Sequence, residues 1–362
     1  MESDRERRGY VKAEAKGSAE YVAGRVRTGE GRITALFTTI GEILMDFTPL
    51  PGHSGLMGFQ AHAGGSPANV AVGLARLGAQ VEFAGKVSTD FFGRCLVRHL
   101  EQEGVGTRFL SRSPAHSPLA FVAFDQDDPS FTFYGTGTAD TQLRSEDLPR
   151  SIEESDVLHF GSISLLAAPT SETVLALVDR LRGGCLLSLD PNVRPSLISD
   201  PDAYRRTLDR AFRAADIVKV STEDLRWLTP GHSVESAAAQ LLALGPRLVI
   251  VTLGRNGCYA RMPTGEIRIL APRVDVADTV GAGDAFSSGL LACLALFGLT
   301  SRRSLEQANS TAIRKVLQFA NGTAALTCTR AGADPPRRDE VDQFLRANRP
   351  YGHGGGSPGP GE

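Results

Sequence analysis

The chain is poor in the features that mark specialised protein classes. Its five cysteines, Cys95, Cys185, Cys258, Cys293 and Cys328, form no Cys-x-x-Cys pair. That excludes a sequence-encoded zinc knuckle and argues against a disulfide framework; such scattered thiols read as small apolar core residues in a reducing compartment. Net charge is low, formally -2, so no global field favours nucleic acid. No apolar run is long enough to span a bilayer: the longest, over 289–299, fits a buried helix. The charged start, Met1 to Arg8, leads to no apolar signal core, and the expected location is cytoplasmic, away from membranes. No repeat with a period of about 20–50 residues is visible. What remains is the balance of an ordinary globular enzyme, with 41% hydrophobic and 22% charged residues in 362, enough for one large α/β domain or two smaller ones.

One stretch organises the chain: Ala277-Asp278-Thr279-Val280-Gly281-Ala282-Gly283-Asp284-Ala285-Phe286. A β-like run over 267–270 precedes it, and a small, apolar, helix-length run over 285–297 follows, closed by Gly298. Gly281, Ala282 and Gly283 thus sit where a loop becomes a helix N-terminus. Bare backbone there presents N–H groups without intrahelical acceptors, a corner that attracts anions and phosphate above all. Asp284 places a carboxylate beside that anion. A phosphate cradle next to a general base suggests phosphoryl transfer to a hydroxyl; a plain tight turn with a dipole-pairing Asp is the simpler alternative. A dinucleotide fingerprint is excluded because Phe286 stands where its third Gly belongs, and a Walker P-loop because Gly85-Lys86 is followed by Val87.

Ordered structure is expected from about residue 33, with polar, aperiodic tails over 1–32 and 349–362. Strands are expected over 33–40, 81–85, 157–160, 186–189, 217–220 and 248–252, and helices over 91–104, 173–182, 204–214, 234–244, 312–327 and 339–345. Short β-like runs over 120–124 and 130–134 flank a hairpin loop. Apolar strands alternating with amphipathic helices describe a parallel sheet covered on both faces. The polar tips Gly161-Ser162, Asp190 to Arg194, Ser221 to Asp224 and Gly254 to Gly257 all follow strands, at the edge where such sheets bind ligands. A second glycine corner, Gly64-Gly65-Ser66-Pro67-Ala68-Asn69, opens a helix ending at Gly78. Ser66 is placed to cap it, Pro67 suits its first position, and Asn69 either bonds locally or faces a ligand.

These two glycine signatures, in this order and at this separation, resemble those of the ribokinase/PfkB family of sugar kinases, and the similarity runs over roughly residues 33–345. The resemblance implies a Rossmann-type three-layer α/β fold with a mainly parallel sheet, a kinase domain over 33–348, and a small β-sheet lid from about 47–62 and 116–136. It implies ATP and Mg²⁺, with Asp284 as general base and the amides of Gly281, Ala282 and Gly283 as the anion hole. Asp46, Gly64, Gly65 and Asn69 would bind sugar hydroxyls, with Arg194 near the phosphates or the far end of the sugar. Thr252, Gly254, Gly257, Asn321 and Ser221 would line the nucleotide site. Asp224 would help position Mg²⁺ through water, although many family members carry Asn-x-x-Glu where this chain has Ser221 and Asp224. Asp278 and the carbonyl of Val280 match the family's place for a monovalent cation such as K⁺. A homodimer is expected by likeness alone.

Within the family, the Gly41 to Phe47 start, the Asp190 to Pro195 turn and the Phe133 to Asp140 stretch look most like members that phosphorylate fructose. Members acting on 2-keto-3-deoxygluconate commonly place an arginine where this chain has Gly135, so a neutral sugar is expected. Ribose and nucleosides are the further alternatives, and a non-catalytic scaffold is the alternative of another class.

Overall fold

A computed structural model describes residues 31–50, 58–125 and 128–348. The expected tails lie almost wholly outside the described residues, as do 51–57 and 126–127 of the expected lid segments. Thirteen strands occur in the described residues: β1 (Leu36–Ile40), β2 (Leu44–Pro49), β3 (Phe59–Gly64), β4 (Gln80–Ser88), β5 (Gly106–Ser113), β6 (Leu119–Asp125), β7 (Asp128–Tyr134), β8 (Val157–Gly161), β9 (Leu186–Asp190), β10 (Ile217–Ser221), β11 (Leu248–Thr252), β12 (Cys258–Met262) and β13 (Gly265–Ile269).

Nine of them make one sheet in the order β13-β12-β11-β10-β9-β8-β1-β4-β5. From β5 to β11 every pairing is parallel. The central strands β1 and β8 to β11 are buried on both faces, and the pleat divides them between two cores. Leu248 and Ile250 of β11 face one core, Val249 and Val251 the other. The first core is closed by the helices Ser66–Arg76, Phe91–Gln102, Ala282–Leu296 and Ser310–Thr327, the second by Thr170–Leu181, Pro201–Ala214 and Val234–Ala243. The fold is the expected mainly parallel three-layer α/β sandwich. It departs from the strand–helix alternation at one edge, where β12 and β13 return antiparallel. The sequence pattern gives no expectation of β12. The links on either side of it, Leu253–Gly257 and Pro263-Thr264, are too short for a parallel crossover, so the chain turns back on itself.

The remaining four strands form a second sheet, β3-β2-β6-β7, in which β2 and β6 run parallel and the other pairs antiparallel. An aromatic cluster fills one face. Phe47 stacks on Phe121 with centroids 4.6 Å apart, and Phe59 and Tyr134 meet Phe121 edge-on. Phe92, from the Phe91–Gln102 helix, packs edge-on against Phe47 at 5.7 Å, tying this small sheet to the large one.

The chain leaves the large sheet for the small one just after β1, at Gly41-Glu42. Glu42 is 2% exposed there, and its Oε2 accepts the Ser164 N–H at 3.3 Å. Burial, with the carboxylates of Asp140 and Asp284 adding to it, raises its pKa from 4.5 to about 8. An acid that binds its proton more tightly when folded stabilises the fold fully below its unfolded pKa, and this contribution is lost as pH rises from 4.5 through 8. Glu42→Gln, which mimics the protonated side chain, is therefore expected to be more stable than the parent at pH 9, by on the order of 2–4 kcal/mol, and to differ far less at pH 5. Urea unfolding at the two pH values measures this; an equal difference at both would show that Glu42 does not titrate in the fold.

Candidate active site

Two helices meet at the carboxyl edge of the large sheet. Gly73 of Ser66–Arg76 lets them approach: a Cβ there would lie 2.4 Å from the Ser288 Oγ of Ala282–Leu296. This contact brings the two glycine corners together across more than 200 residues of sequence. Ser66 Oγ donates to Asp284 Oδ1 at 2.6 Å and Asn69 Nδ2 donates to Oδ2 at 2.9 Å. Asn69 thus bonds the acid and not its own backbone. Ser66 does not cap its helix; the cap position is Gly65, and Ser66 is the first helical residue. Its hydroxyl is spent on Asp284, because the Gly65 backbone at φ +102 already turns the chain into the helix.

Asp284 stands in the first turn of its helix, half-buried. Burial raises its pKa, the hydrogen bonds from Ser66 and Asn69 oppose the rise, Asp190 adds to it, and Lys219 opposes it. The net direction is upward, and a half-buried acid displaced by specific partners in a cleft is the mark of a functional site. Gly281 caps the helix at φ +74, a left-handed conformation that admits glycine with least strain, and a Cβ would strike Ala333 at 2.6 Å. Ala282 N–H makes a 3.3 Å bond to the Thr279 carbonyl. The N–H groups of Gly281 and Gly283 meet no acceptor among the described residues. Two of the three expected anion-hole amides are therefore free, and the third is weakly engaged.

On the side of the small sheet, Asp46 of β2 lies against Gly64 of β3. A Cβ on Gly64 would fall 2.0 Å from Asp46 Oδ2, so glycine is what leaves the carboxylate its place. Burial and the nearby Asp284 raise the Asp46 pKa to about 6, and Arg194 opposes the rise. The exposed Arg194 donates to the carbonyls of Asn192 and Val193, close enough for its charge to act on Asp46. If Asp46 binds a sugar hydroxyl as a carboxylate, protonation weakens that bond as pH falls through about 6. KM for sugar is expected to rise about three- to tenfold between pH 7.5 and 5.5, and Asp46→Asn should flatten the profile. Initial rates across sugar concentration at each pH test it; an unchanged profile in the variant places the titration elsewhere.

On the other side opens a cavity of about 830 Å³, lined by Ser221, Thr252, Gly254, Gly257 and Asn321, with Thr279, Ala282 and Gly283 at its inner end. All five nucleotide-site candidates therefore converge. Asn321 is 5% exposed at the wall, its amide 3.4 Å from Cys258 Sγ. Asp224 also faces the cavity, but its carboxylate is already in use. Oδ1 accepts the Val193 N–H at 2.7 Å, and Oδ2 accepts the Ser221 N–H and hydroxyl in a capping box. It does not fit a direct metal ligand. Glu223, exposed at the cavity rim, is a second carboxylate there; it accepts the Thr222 hydroxyl and pairs with Arg226 at 3.3 Å. Asp278 accepts the Val280 N–H on one oxygen and the Gly332 N–H on the other, which ties the loop before the anion corner to the one after the Ser310–Thr327 helix.

One residue of the site, Lys219, is not among those the sequence pattern points to, and its partner Asp190 is expected only as part of a polar tip. Lys219 of β10 and Asp190 of β9 form a buried ion pair of 2.7 Å at the sheet edge between cavity and Asp284. A lysine inside the apolar run Ile217–Ser221 was the available signal, since an unpaired charge cannot be buried there. Gly135, the position read as favouring a neutral sugar, is buried, and a Cβ on it would strike the Phe133 ring at 2.1 Å. An arginine there would need that ring to swing away.

A half-buried acid facing free helix amides, with a nucleotide-sized cavity beyond them, defines a phosphotransferase that activates an alcohol. The sequence profile described as pfkB family carbohydrate kinase matches residues 35–340, and the chain belongs to that family. Among its relatives, a fructokinase from Rhizobium leguminosarum bv. trifolii is 35% identical over 274 residues, covering 76% of this chain and 84% of the relative. A crystal structure of fructokinase with bound ATP from Xylella fastidiosa superposes with a TM-score of 0.80 at 31% identity, covering 86% of this chain and 98% of the other. A double mutant of the Vibrio cholerae O395 enzyme, with fructose, ADP and potassium bound, gives 0.77 at 32% identity over 87% of this chain and 100% of the other. The protein is accordingly a sugar kinase. Among the described residues no helix is long and apolar enough to cross a membrane.

Proposed function

We propose that this kinase transfers the γ-phosphoryl group of ATP to the primary hydroxyl of D-fructose, giving fructose 6-phosphate. The observation that carries the reading is the placement of Asp284, held by Ser66 and Asn69, between the Asp46 side of the site and the nucleotide-sized cavity. The similarity to fructokinases supports the choice of sugar, as does the uncharged Gly135 at the position that favours a keto-acid when it is arginine.

In this reading Asp284 takes the proton of the attacking hydroxyl. The amides of Gly281 and Gly283, with Ala282 behind them, face the charge that spreads over the migrating group. Asp46, Gly64, Gly65, Asn69 and Arg194 orient the sugar, and the wall from Ser221 to Asn321 holds the nucleotide. The small sheet acts as the lid that excludes water. Glu223, and Asp224 through water, would support Mg²⁺ brought with ATP, which would supply positive charge against the phosphates. Asp278 and the Val280 carbonyl would hold K⁺. A homodimer joined through the lid belongs to the same reading, and sedimentation tests it separately.

The experiment is coupled ADP release over a panel of fructose, 2-keto-3-deoxygluconate, ribose and adenosine. Fructose is expected to give the highest kcat/KM by at least about tenfold. Preference for the keto-acid would move the assignment to that substrate and give Arg194 its carboxylate. No turnover with any sugar by folded protein would favour a non-catalytic role.

A further inference from the structure

Lys219 is 5% exposed, at the carboxyl end of β10, yet its side chain lines the nucleotide-sized cavity. Its Nζ donates to Asp190 Oδ2 at 2.7 Å. A Cβ built on Gly283 would lie 3.0 Å from that same Nζ. The ammonium is therefore lodged between the end of β9 and the first turn of the Ala282–Leu296 helix, against the amides that face the phosphate. Burial disfavours its charge, but the carboxylates of Asp190, Asp224 and Asp284 outweigh burial, and it stays protonated.

Asp190 is itself well held. It accepts the Asn192 N–H at 3.2 Å on one oxygen and the Ser287 hydroxyl at 3.4 Å on the oxygen that also takes Lys219. Lys219 has three donors and spends one on Asp190; the other two meet no acceptor among the described residues. A buried ion pair is a weak device for stability, since a well-packed apolar pair of the same volume serves as well or better. What this position offers is a single positive charge where the cavity meets the anion corner.

We propose that Lys219 is a catalytic residue of the transfer step, its ammonium contacting the oxygens of the migrating phosphoryl group, with Asp190 as the positioning residue that aims it. The inference rests on the phosphotransfer reading above. In the step, the sugar oxygen bonds to the γ-phosphorus and its proton passes to Asp284. The bond from that phosphorus to the bridging oxygen breaks, and its electron pair leaves with ADP. Lys219 keeps its proton throughout and supplies charge that neutral amides cannot.

Lys219→Met alone would leave Asp190 buried and unpaired, so the deciding chain is the neutral pair Lys219→Met with Asp190→Asn. It is compared with the parent by thermal melting, by kcat and KM, and by calorimetric binding of MgADP with and without fructose and aluminium fluoride. It is expected to melt near the parent and to bind MgADP within about threefold. The kcat should fall roughly 10²–10³-fold with KM for fructose little changed, and the tightening of MgADP by aluminium fluoride should be lost. A folded double variant with parental kcat and intact tightening would reduce Lys219 to a partner of Asp190 and overturn the inference. Should the pair fail to fold, Lys219→Gln, which keeps one donor for Asp190, carries the same comparison. Failure of the kinase reading looks different: the parent itself would turn over no sugar.

Discussion

Asp284→Asn is expected to lower kcat by roughly 10²–10⁴-fold while MgADP affinity stays within about threefold. The amide matches the carboxylate in shape and keeps both of its partners. Its oxygen can accept from Asn69 Nδ2, and its NH₂ can donate to Ser66 Oγ, in place of the 2.9 and 2.6 Å bonds that Asp284 makes. The fold is thus preserved and the loss falls on proton abstraction. The parent should also lose activity on the acid side as Asp284 takes up its proton, at a higher pH than an ordinary aspartate because burial raises its pKa. The variant should lack that limb. Rates from pH 5 to 8 and calorimetry with MgADP measure both parts. Near-parental turnover would remove Asp284 from the role of base.

The second large effect is expected at Gly283. Its free N–H faces the anion corner, and a Cβ would meet Lys219 Nζ at 3.0 Å. Valine adds two further methyl groups in a space bounded by a buried, anchored ammonium. Either the helix start tilts away or Lys219 leaves Asp190, and both displace positive charge from the migrating phosphate. A fall in kcat of roughly 10²–10³-fold is expected, the scale of losing one oxyanion donor. The melting temperature should drop far less than a core deletion would produce, because the site is half-buried at a helix end. A Gly283→Val protein with parental kcat would show that the anion corner is not where the phosphoryl group passes.

Much of the site was legible beforehand, and for definable reasons. Gly281, Gly283 and Asp284 are adjacent in sequence, so turn chemistry and helix-start physics apply to them directly. The same holds for Gly64, Gly65 and Asn69. Which group each would touch was not legible. Asn69 had two readings, a local backbone bond or a distant partner, and the 2.9 Å bond to Asp284 decides between them. Ser66 is expected as a cap because serine before a helix usually is one; the positive-φ Gly65 takes the cap position and leaves Ser66 for Asp284. Asp224, expected to support metal through water, also closes a capping box with Ser221 and accepts the Val193 N–H, and the second of these contacts is long-range. Lys219 went unread because a lysine in a β-run carries no sign of which strand will bring its counter-charge.

By itself, the sequence determined the alternation of buried strands and covering helices, the two glycine corners, and the carboxylate beside the second of them. Each is written in neighbouring residues, through periodicity and backbone sterics that act over a turn or two of chain. Tertiary structure alone decided the antiparallel edge, the seating of Asp46 against Gly64, the pairing of Lys219 with Asp190, and the meeting of Ser66 and Asn69 with Asp284. Those contacts depend on strand order and helix approach, which are set by packing the whole chain into two cores, and no local pattern encodes them.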